Sequence, residues 1–322
     1  MLSFAITGLN VPVKIDGTQV SFSVKAADKG KLVNALPIIT ISDKATISPA
    51  LNVAQDFTKP VVYTVTAEDG VTAIAYTVKA IIEAAEGTIF SLDLNNVNET
   101  AYTSGNLKGA LPNTVEPFKW NSSDGGLKII VDRAGKFGVT YSNADTEFNA
   151  PVFNVESLDT KGGGIYPKIT SGSLFLGDFK LSIFTPLKST KFGVVVDTKP
   201  LSISGELSYK SGDEYFDENE KLVPGKKDEG LVSVVVYEVA NDRETLTGQD
   251  IYTSNKIIGM AKATYQDGFK GDFKLNVEYT KEFNPAKKYK MAVIFSASKD
   301  GDKYSGAGGS VLKLAKLDMS FE

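Results

Sequence analysis

The chain has neither cysteine nor histidine among its 322 residues. Without thiols there is no disulfide, no thiolate nucleophile and no Cys-ligated zinc or iron–sulfur cluster. Without imidazole there is no Ser-His-Asp triad and no His-ligated metal. Long apolar runs are missing as well. None approaches the roughly 20 residues that cross a bilayer as a helix, and Met1-Leu2-Ser3-Phe4 does not open the basic-then-apolar pattern of a signal peptide. Positive charge is not in excess: 35 Lys and Arg stand against 39 Asp and Glu, a net charge of -4, which offers no polycationic footprint for nucleic acid. What remains is carboxylate acid–base chemistry, a Lys or Tyr participant, oxygen-ligated calcium, or plain binding.

What is present is a folded composition, 42% hydrophobic and 23% charged, at a length that suggests two domains. The patterning is almost entirely of period two. Gln19 to Lys25, Val61 to Ala67 and Ile74 to Lys79 alternate apolar and polar side chains as half-buried strands do. Glu68-Asp69-Gly70 between the last two predicts a hairpin turn with glycine at positive φ. Asp272 to Tyr279 reads as one strand with Phe273, Leu275, Val277 and Tyr279 facing inward. Leu231 to Val239 is a continuous Val-rich run, the pattern of a central strand covered on both faces. Lys290 to Ser296 and Ser310 to Phe321 read as two more strands. Only Lys31 to Leu36, ended by Pro37, reads as a helical turn. The expectation is all-β: an Ig-like sandwich over 1-82, a linker over 83-87 and a larger jelly roll over 88-322.

Three stretches carry a family resemblance. Ile169 to Phe179 is similar to a "small-Gly-x-Leu-Phe-x-Gly-x-Phe" segment. Lys199 to Lys210 resembles an "Arg-Pro-x-x-Leu-x-Gly-x-Tyr-x-Tyr" strand. Phe295 to Ser298, followed by Gly308 to Leu312, looks like a serine-rich strand and a closing Gly-Ser-x-Leu strand. Together they resemble the putative carbohydrate-metabolism domain family, PCMD, over residues 88–322. Lys199 stands where that family usually has Arg, and Ala315 and Lys316 stand where it often has an acidic pair. Ile39 to Pro49 and Tyr63 to Gly70 resemble the Ig-like domains that often precede such modules. The resemblance implies a jelly-roll sandwich on a secreted or surface protein that binds carbohydrate or assists its use. It supplies no catalytic residues.

The candidate site residues follow from chemistry. Aromatic faces stack on pyranose rings, and Trp120, the only Trp, lies in Trp120-Asn121-Ser122-Ser123-Asp124, with Asn121 and Asp124 as polar partners. Tyr166 after Gly162-Gly163-Gly164, and Tyr102, are further rings in loop-like contexts. A lone Trp in a β-sandwich also packs readily in the core. The acidic stretch holding Asp213, Asp217 and Glu220 has the hard oxygen ligands calcium takes, but not EF-hand spacing, and Lys221, Lys226 and Lys227 follow it. Its other reading is a solvated loop, as is that of Asp300-Gly301-Asp302-Lys303. A glycoside hydrolase needs two facing carboxylates; Asp132, Glu206, Glu214 and Glu238 are available, and no spacing pairs them.

The expectation is a carbohydrate-binding or accessory protein in glycan utilisation, without a cofactor unless calcium. A two-carboxylate glycoside hydrolase and a structural or adhesive protein are the alternatives. Its expected partners are a glycan or polysaccharide and other surface glycan-utilisation proteins, with no nucleic acid and no membrane span. The expected location is the cell surface or exterior, as a lipoprotein whose export signal and anchoring Cys are not part of this sequence.

Overall fold

The computed structural model describes residues 1–83, 87–94, 98–104, 107–111, 118–126, 128–163, 166–182 and 184–322. The chain is all-β and divides into two compact units, Met1–Glu86 and Gly87–Glu322. The expected linker at 83–87 begins on the last residue of the strand Ala73–Glu83, and residues 84–86 lie outside the described residues.

In the first unit, strands Val13–Asp16, Gln19–Lys25, Ala73–Glu83, Val61–Thr66 and Thr46–Ser48 lie side by side in that order, and Ser3–Ile6 pairs with Pro37–Thr40. The pairing of Gln19–Lys25 with Ala73–Glu83 is parallel; the others are antiparallel. Alternation decides what is buried: Val20, Phe22 and Val24 point inward while Ser21 and Ser23 between them do not. Phe4, Phe22 and Phe57 form an aromatic cluster with ring centroids 5.6 to 6.5 Å apart. The expected hairpin is present, with Asp69 Oδ1 accepting from the Val71 and Thr72 amides at 2.9 and 2.8 Å and Gly70 at φ +71°. The helical turn is displaced. A 3-10 helix spans Ala26–Leu32, with the i,i+3 pair Asp28–Lys31 at 2.7 Å on its exposed side and Leu32 anchoring its end in the core.

The second unit is a two-sheet sandwich. In the larger sheet Trp120–Ser122, Ser173–Phe179, Lys288–Ser296, Gly230–Val239, Ile257–Tyr265 and Glu278–Tyr279 lie in that order. Thr190–Phe192 also pairs with Ser173–Phe179, and Val194–Val196 with Lys288–Ser296. The smaller sheet runs Val139–Asp145, Ala150–Glu156, Val311–Phe321, Pro200–Lys210, Phe269–Asn276, with Ile89–Ser91 beside Val311–Phe321. All of these pairings are antiparallel. The main core lies between the sheets: Val232, Val234, Val293 and Phe295 from one meet Phe153, Leu207, Leu314 and Leu317 from the other.

Two features depart from the sequence reading. The run Asp272 to Tyr279 is not one strand. Phe269–Asn276 belongs to the smaller sheet and Glu278–Tyr279 to the larger, so the chain changes sheets at Val277. The inward alternation survives the crossing, since Phe273 and Leu275 are buried and Val277 and Tyr279 pack on the same core. A short α-helix, Lys128–Ala134, is also present; at seven residues it is too short for a helical stripe to declare itself.

The larger sheet has a second apolar layer on its outer face. Phe175, Val235, Tyr237, Ala292 and Ile294 point outward from it and are covered by Phe192, Leu246 and Ile251. Gly193, at φ +96°, permits this. A Cβ there would sit 2.8 Å from the Tyr237 hydroxyl, which donates to Phe192 O. The layer is tied down by Thr245 Oγ1 donating to Phe192 O at 2.8 Å and the Phe192 amide donating to Leu246 O at 2.9 Å.

Candidate ligand-binding cleft

The outer layer covers only part of the larger sheet. At its edge lies a cavity of about 150 Å³. Its floor is the outward row of the sheet: Ser173, Leu231, Ile294 and Ser296. One wall is the loop carrying Pro186 and Leu187, held to the other loop by the Gly248 amide donating to Leu187 O at 2.8 Å. The second wall carries Ile251 and Tyr252, and Phe179 adds a third aromatic or aliphatic surface. Tyr252 is anchored through its hydroxyl to Ser233 Oγ at 2.9 Å, and the Lys262 ammonium lies 3.7 Å from its ring centroid. Burial pushes the Tyr252 phenol up to about 12. The far side is Ser298, Lys299, Gly301, Asp302 and Tyr304. Gly301 lets this segment close in, since a Cβ there would be 2.5 Å from the Ser171 Cβ.

Behind the far side is a buried polar network. Asp228, 1% exposed, accepts on one oxygen from Ser298 Oγ at 2.5 Å, Ser310 Oγ at 2.9 Å and the Ala307 amide at 2.8 Å. Burial raises its pKa, and these donors oppose the shift. Ser157 Oγ lies 2.6 Å from Ser298 Oγ. Ser171 Oγ lies 2.9 Å from Ser296 Oγ and accepts from the Ser298 amide at 3.0 Å. The network fixes the serines that face the cleft.

Charge at the cleft is balanced. Lys299 lies 3.5 Å from Glu229 and 3.4 Å from Asp300. Asp302 is the one carboxylate lining the cavity among the described residues, and no ion pair reaches it there. Next to the Pro186 wall, the Lys180 amide donates to Ser189 O at 2.8 Å and the Ser182 amide to Ser189 Oγ at 2.9 Å. Leu181 and Phe184 nearby in the chain are exposed and do not line the cavity.

None of the described site residues chosen from the sequence lines this cavity. Trp120 is not in a loop. It is a strand residue paired with Leu176, 2% exposed, its ring 6.3 Å from that of Phe295 in the main core, so it offers no face to a sugar. Asn121 is half-buried and turned to the Ser122 amide at 3.0 Å. Asp124 is buried and accepts from the Gly138 and Val139 amides at 2.8 and 2.7 Å; burial raises its carboxyl to about 6 against those two bonds. Tyr166 is half-buried beneath the Arg133 guanidinium, 4.7 Å from its ring centroid. The side chain of Tyr102 lies outside the described residues.

The acidic stretch is a turn. Asp217 Oδ1 accepts from the Asn219 and Lys221 amides, both at 2.9 Å, Glu220 accepts from the Lys168 amide at 3.1 Å, and Asp213 is exposed. Among the described residues no three acidic groups are arranged to hold a metal ion. The four candidate acids do not converge. Asp132 and Glu214 are exposed, Glu206 sits on Pro200–Lys210 beside Asp272, and Glu238 pairs with Lys287 at 2.8 Å. Asp302, read from the sequence as part of a solvated loop, is the acid that reaches the cleft.

A sandwich with a hydroxyl- and aromatic-lined cleft on one outer sheet face is the class of structure these observations define. The family profile described as "Putative carbohydrate metabolism domain" matches residues 93–320, and the chain belongs to that family. A second profile, "SGBP, N-terminal", matches residues 1–80. Among solved structures, the chain is similar to one titled a putative glycoside hydrolase from Bacteroides thetaiotaomicron, with 24% identity, 100% of this chain and 96% of that one covered, and a TM-score of 0.62. It is also similar to one of the same title from Bacteroides vulgatus, with 22% identity, 73% and 98% covered, and a TM-score of 0.58. No curated protein matches. Two of the stretches that carried the resemblance in the sequence, Ile169 to Phe179 and Phe295 to Ser298, supply Thr170, Ser171, Ser173, Phe179, Ser296 and Ser298 to the cavity. The signal that would have found the site is Ser233 and Ser296 within otherwise apolar strands and Ser298 just beyond one, since buried polar groups need a reason.

Proposed function

We propose that the second unit binds carbohydrate in this cleft, and that the chain serves as a surface or secreted accessory protein in glycan use, with no covalent chemistry of its own. The observation that carries the reading is a cavity combining Phe179, Tyr252 and Tyr304 with a floor and side of fixed serine hydroxyls. Rings stack on the apolar faces of sugars, and a few convergent polar groups fix orientation. The match of residues 1–80 to the N-terminal part of SGBP supports a place at the cell surface. No helix among the described residues is long and apolar enough to cross a membrane. The titles of the two similar structures motivate a hydrolase reading, but glycoside hydrolysis draws on two carboxylates roughly 5–10 Å apart, and the described lining supplies Asp302 alone.

The test is a glycan array with the full chain, followed by Tyr304→Ala. Binding to one glycan class, weakened roughly fivefold to tenfold by loss of a ring that lines the cleft, is the expected outcome. A blank array would overturn the reading, and release of reducing ends from a bound glycan would overturn its non-catalytic part.

A further inference from the structure

Resting on that reading, we infer that Asp228 is the positioning residue of the cleft: from outside the cavity lining, its buried carboxylate clamps the loop that forms the cleft's far side. Everything turns on one atom. Asp228 Oδ2 accepts from Ser298 Oγ at 2.5 Å and from the Ala307 amide at 2.8 Å. These are the two feet of the loop 298–307, which brings Lys299, Gly301, Asp302 and Tyr304 to the cavity. Ser310 Oγ reaches the same oxygen at 2.9 Å from beyond the second foot. At Gly306 the returning limb passes close over the clamp, since a Cβ there would lie 2.3 Å from Ser298 Oγ and 2.9 Å from Asp228 Oδ2. The carboxylate is itself held in place. Its Oδ1 accepts from the Glu229 amide at 2.8 Å, and the Asp228 amide donates to Ser211 Oγ at 2.9 Å.

This tie differs from the others on the loop in joining both feet and in carrying a charge, which makes its hydrogen bonds roughly twice as strong as neutral ones. The first foot is otherwise held by Ser171 Oγ, which accepts from the Ser298 amide at 3.0 Å, and by the Lys299 amide donating to Glu229 O at 2.8 Å. The second pairs with the two-residue strand Tyr215–Phe216. Between the feet, the Lys303 and Ser305 amides donate to Asp300 O and the Tyr304 amide to Gly301 O, which shapes the tip without fixing where it sits. The Tyr215 hydroxyl donates to Asp300 at 3.0 Å. Lys226 and Lys299 reach Asp300 at 3.8 and 3.4 Å, partly exposed pairs that add little.

The clamp depends on ionisation. Three donors converge on Oδ2, and an ionised carboxylate has only lone pairs to offer them. A proton weakens the carboxyl as an acceptor, and one placed on Oδ2 can be given only to the Ser298 or Ser310 hydroxyl, reversing that bond. The titratable groups around it are Tyr209, whose phenol burial and then Asp228 push up, and Tyr215, pushed up by burial, Asp300 and Asp228. Asp267 accepts from the Ser211 amide at 2.9 Å, and Glu229, Lys226, Lys299 and Asp300 pair among themselves. Burial holds the Asp228 carboxyl above the ordinary carboxylate range against its own donors. The clamp is therefore complete above that raised value and is lost as pH falls through it. The native state binds the proton more tightly than the unfolded chain does, so this group loosens the loop on acidification without weakening the fold.

The experiment compares the full natural chain with Asp228→Asn, Ser310→Ala, Asp124→Asn and Asp302→Asn. Hydrogen exchange is followed without ligand, and calorimetry uses maltohexaose, cellohexaose, xylohexaose, mannohexaose and any glycan the array returns. At pH 7, Asp228→Asn is expected to speed exchange of the amides at 299–305 at least about tenfold while the interior of Gly230–Val239 stays protected. Binding should weaken roughly tenfold, because the loop spends less time in the binding position. Ser310→Ala removes a bond to the same oxygen from outside the loop and should keep affinity within about twofold. From pH 7 to 5 the natural chain's affinity should fall toward that of Asp228→Asn while its urea stability relative to that variant rises, an opposition that a merely structural role does not produce. Asp124→Asn and Asp302→Asn should keep the pH dependence of binding. Unchanged loop exchange in Asp228→Asn, an equal loss of affinity in Ser310→Ala, or a pH dependence that survives in Asp228→Asn or vanishes in Asp124→Asn or Asp302→Asn overturns the inference and leaves the carbohydrate reading standing. Should Asp228→Asn not fold, the pH profiles of the natural chain and of the other two Asn variants decide. Failure of every probe, with a blank array, removes the carbohydrate reading, and the loop exchange then decides the clamp by itself.

Discussion

The two sheets of the sandwich are written in different sequence patterns. Val311–Phe321 of the smaller sheet alternates: Leu312, Leu314, Leu317 and Met319 are buried, and Lys313, Lys316 and Asp318 lie between them. Gly230–Val239 of the larger sheet does not alternate; nine of its ten residues are buried. The difference reports what covers each sheet. One has water on its outer face, and the other has a second apolar layer there. The lesson for function is that a cleft forms where such a layer stops. The uncovered end of the doubly covered sheet is where outward side chains change from Val235 and Tyr237 to Leu231, Ser233 and Ser296.

The sharpest way to break this comparison is the same substitution on the outer face of each sheet. Val235→Ser removes two buried methyl groups and leaves a hydroxyl in an apolar layer, so it should cost about 3 kcal/mol. Val311→Ser, at a half-buried outward position of the smaller sheet, should cost under about 1 kcal/mol. Urea denaturation, following the transition of the second unit, measures both. Equal costs would mean that the outer layer contributes nothing to stability.

A second comparison concerns how the sheets are joined at their edges. Asp124 follows Trp120–Ser122 of the larger sheet and caps the amides of Gly138 and Val139, where the smaller sheet's edge strand begins. Its carboxyl titrates near 6 when folded against an ordinary 3.8. A raised pKa means that the native state binds the proton more tightly. The contribution is therefore complete below about 4 and is lost as pH rises through about 6. Asp228 is shifted in the same direction. Acidification from pH 7 to 5 should stabilise the natural chain relative to Asp124→Asn by about 1–3 kcal/mol, read as the pH dependence of the difference between their urea midpoints. A difference that does not change with pH would refute the assignment.

Much of this architecture was legible in the sequence because period two survives in one-sided strands such as Gln19–Lys25, and because a Val-rich run signals a covered one. The sheet change at Val277 was not legible, since the side-chain pattern continues while the hydrogen-bonding partner changes. The cleft was hidden for a related reason. Its residues come from separate stretches near 170, 186, 250 and 300, and only pairing of Ser173–Phe179 and Gly230–Val239 with Lys288–Ser296 brings most of them together. Trp120 drew attention by rarity among polar neighbours, yet a three-residue edge strand buried it.

The finest comparison is between two buried tyrosines, one in each unit. Tyr209, on the smaller sheet, is 2% exposed and donates across the core to Ala297 O at 2.9 Å. Tyr63, in the first unit, is 0% exposed and its hydroxyl has no partner; burial raises it to about 12. The rings do similar packing work, so Tyr→Phe isolates the hydroxyl. At Tyr209 the change strands a buried carbonyl and should cost about 1–2 kcal/mol. At Tyr63 it removes an unsatisfied group without opening a cavity larger than one oxygen. The first unit should then be unchanged or more stable, by up to about 1 kcal/mol. Opposite signs, read from the separate unfolding transitions of the two units, would show that the hydroxyl's partner and not its burial sets its worth; a loss at Tyr63 as large as that at Tyr209 would show that a partner forms there too.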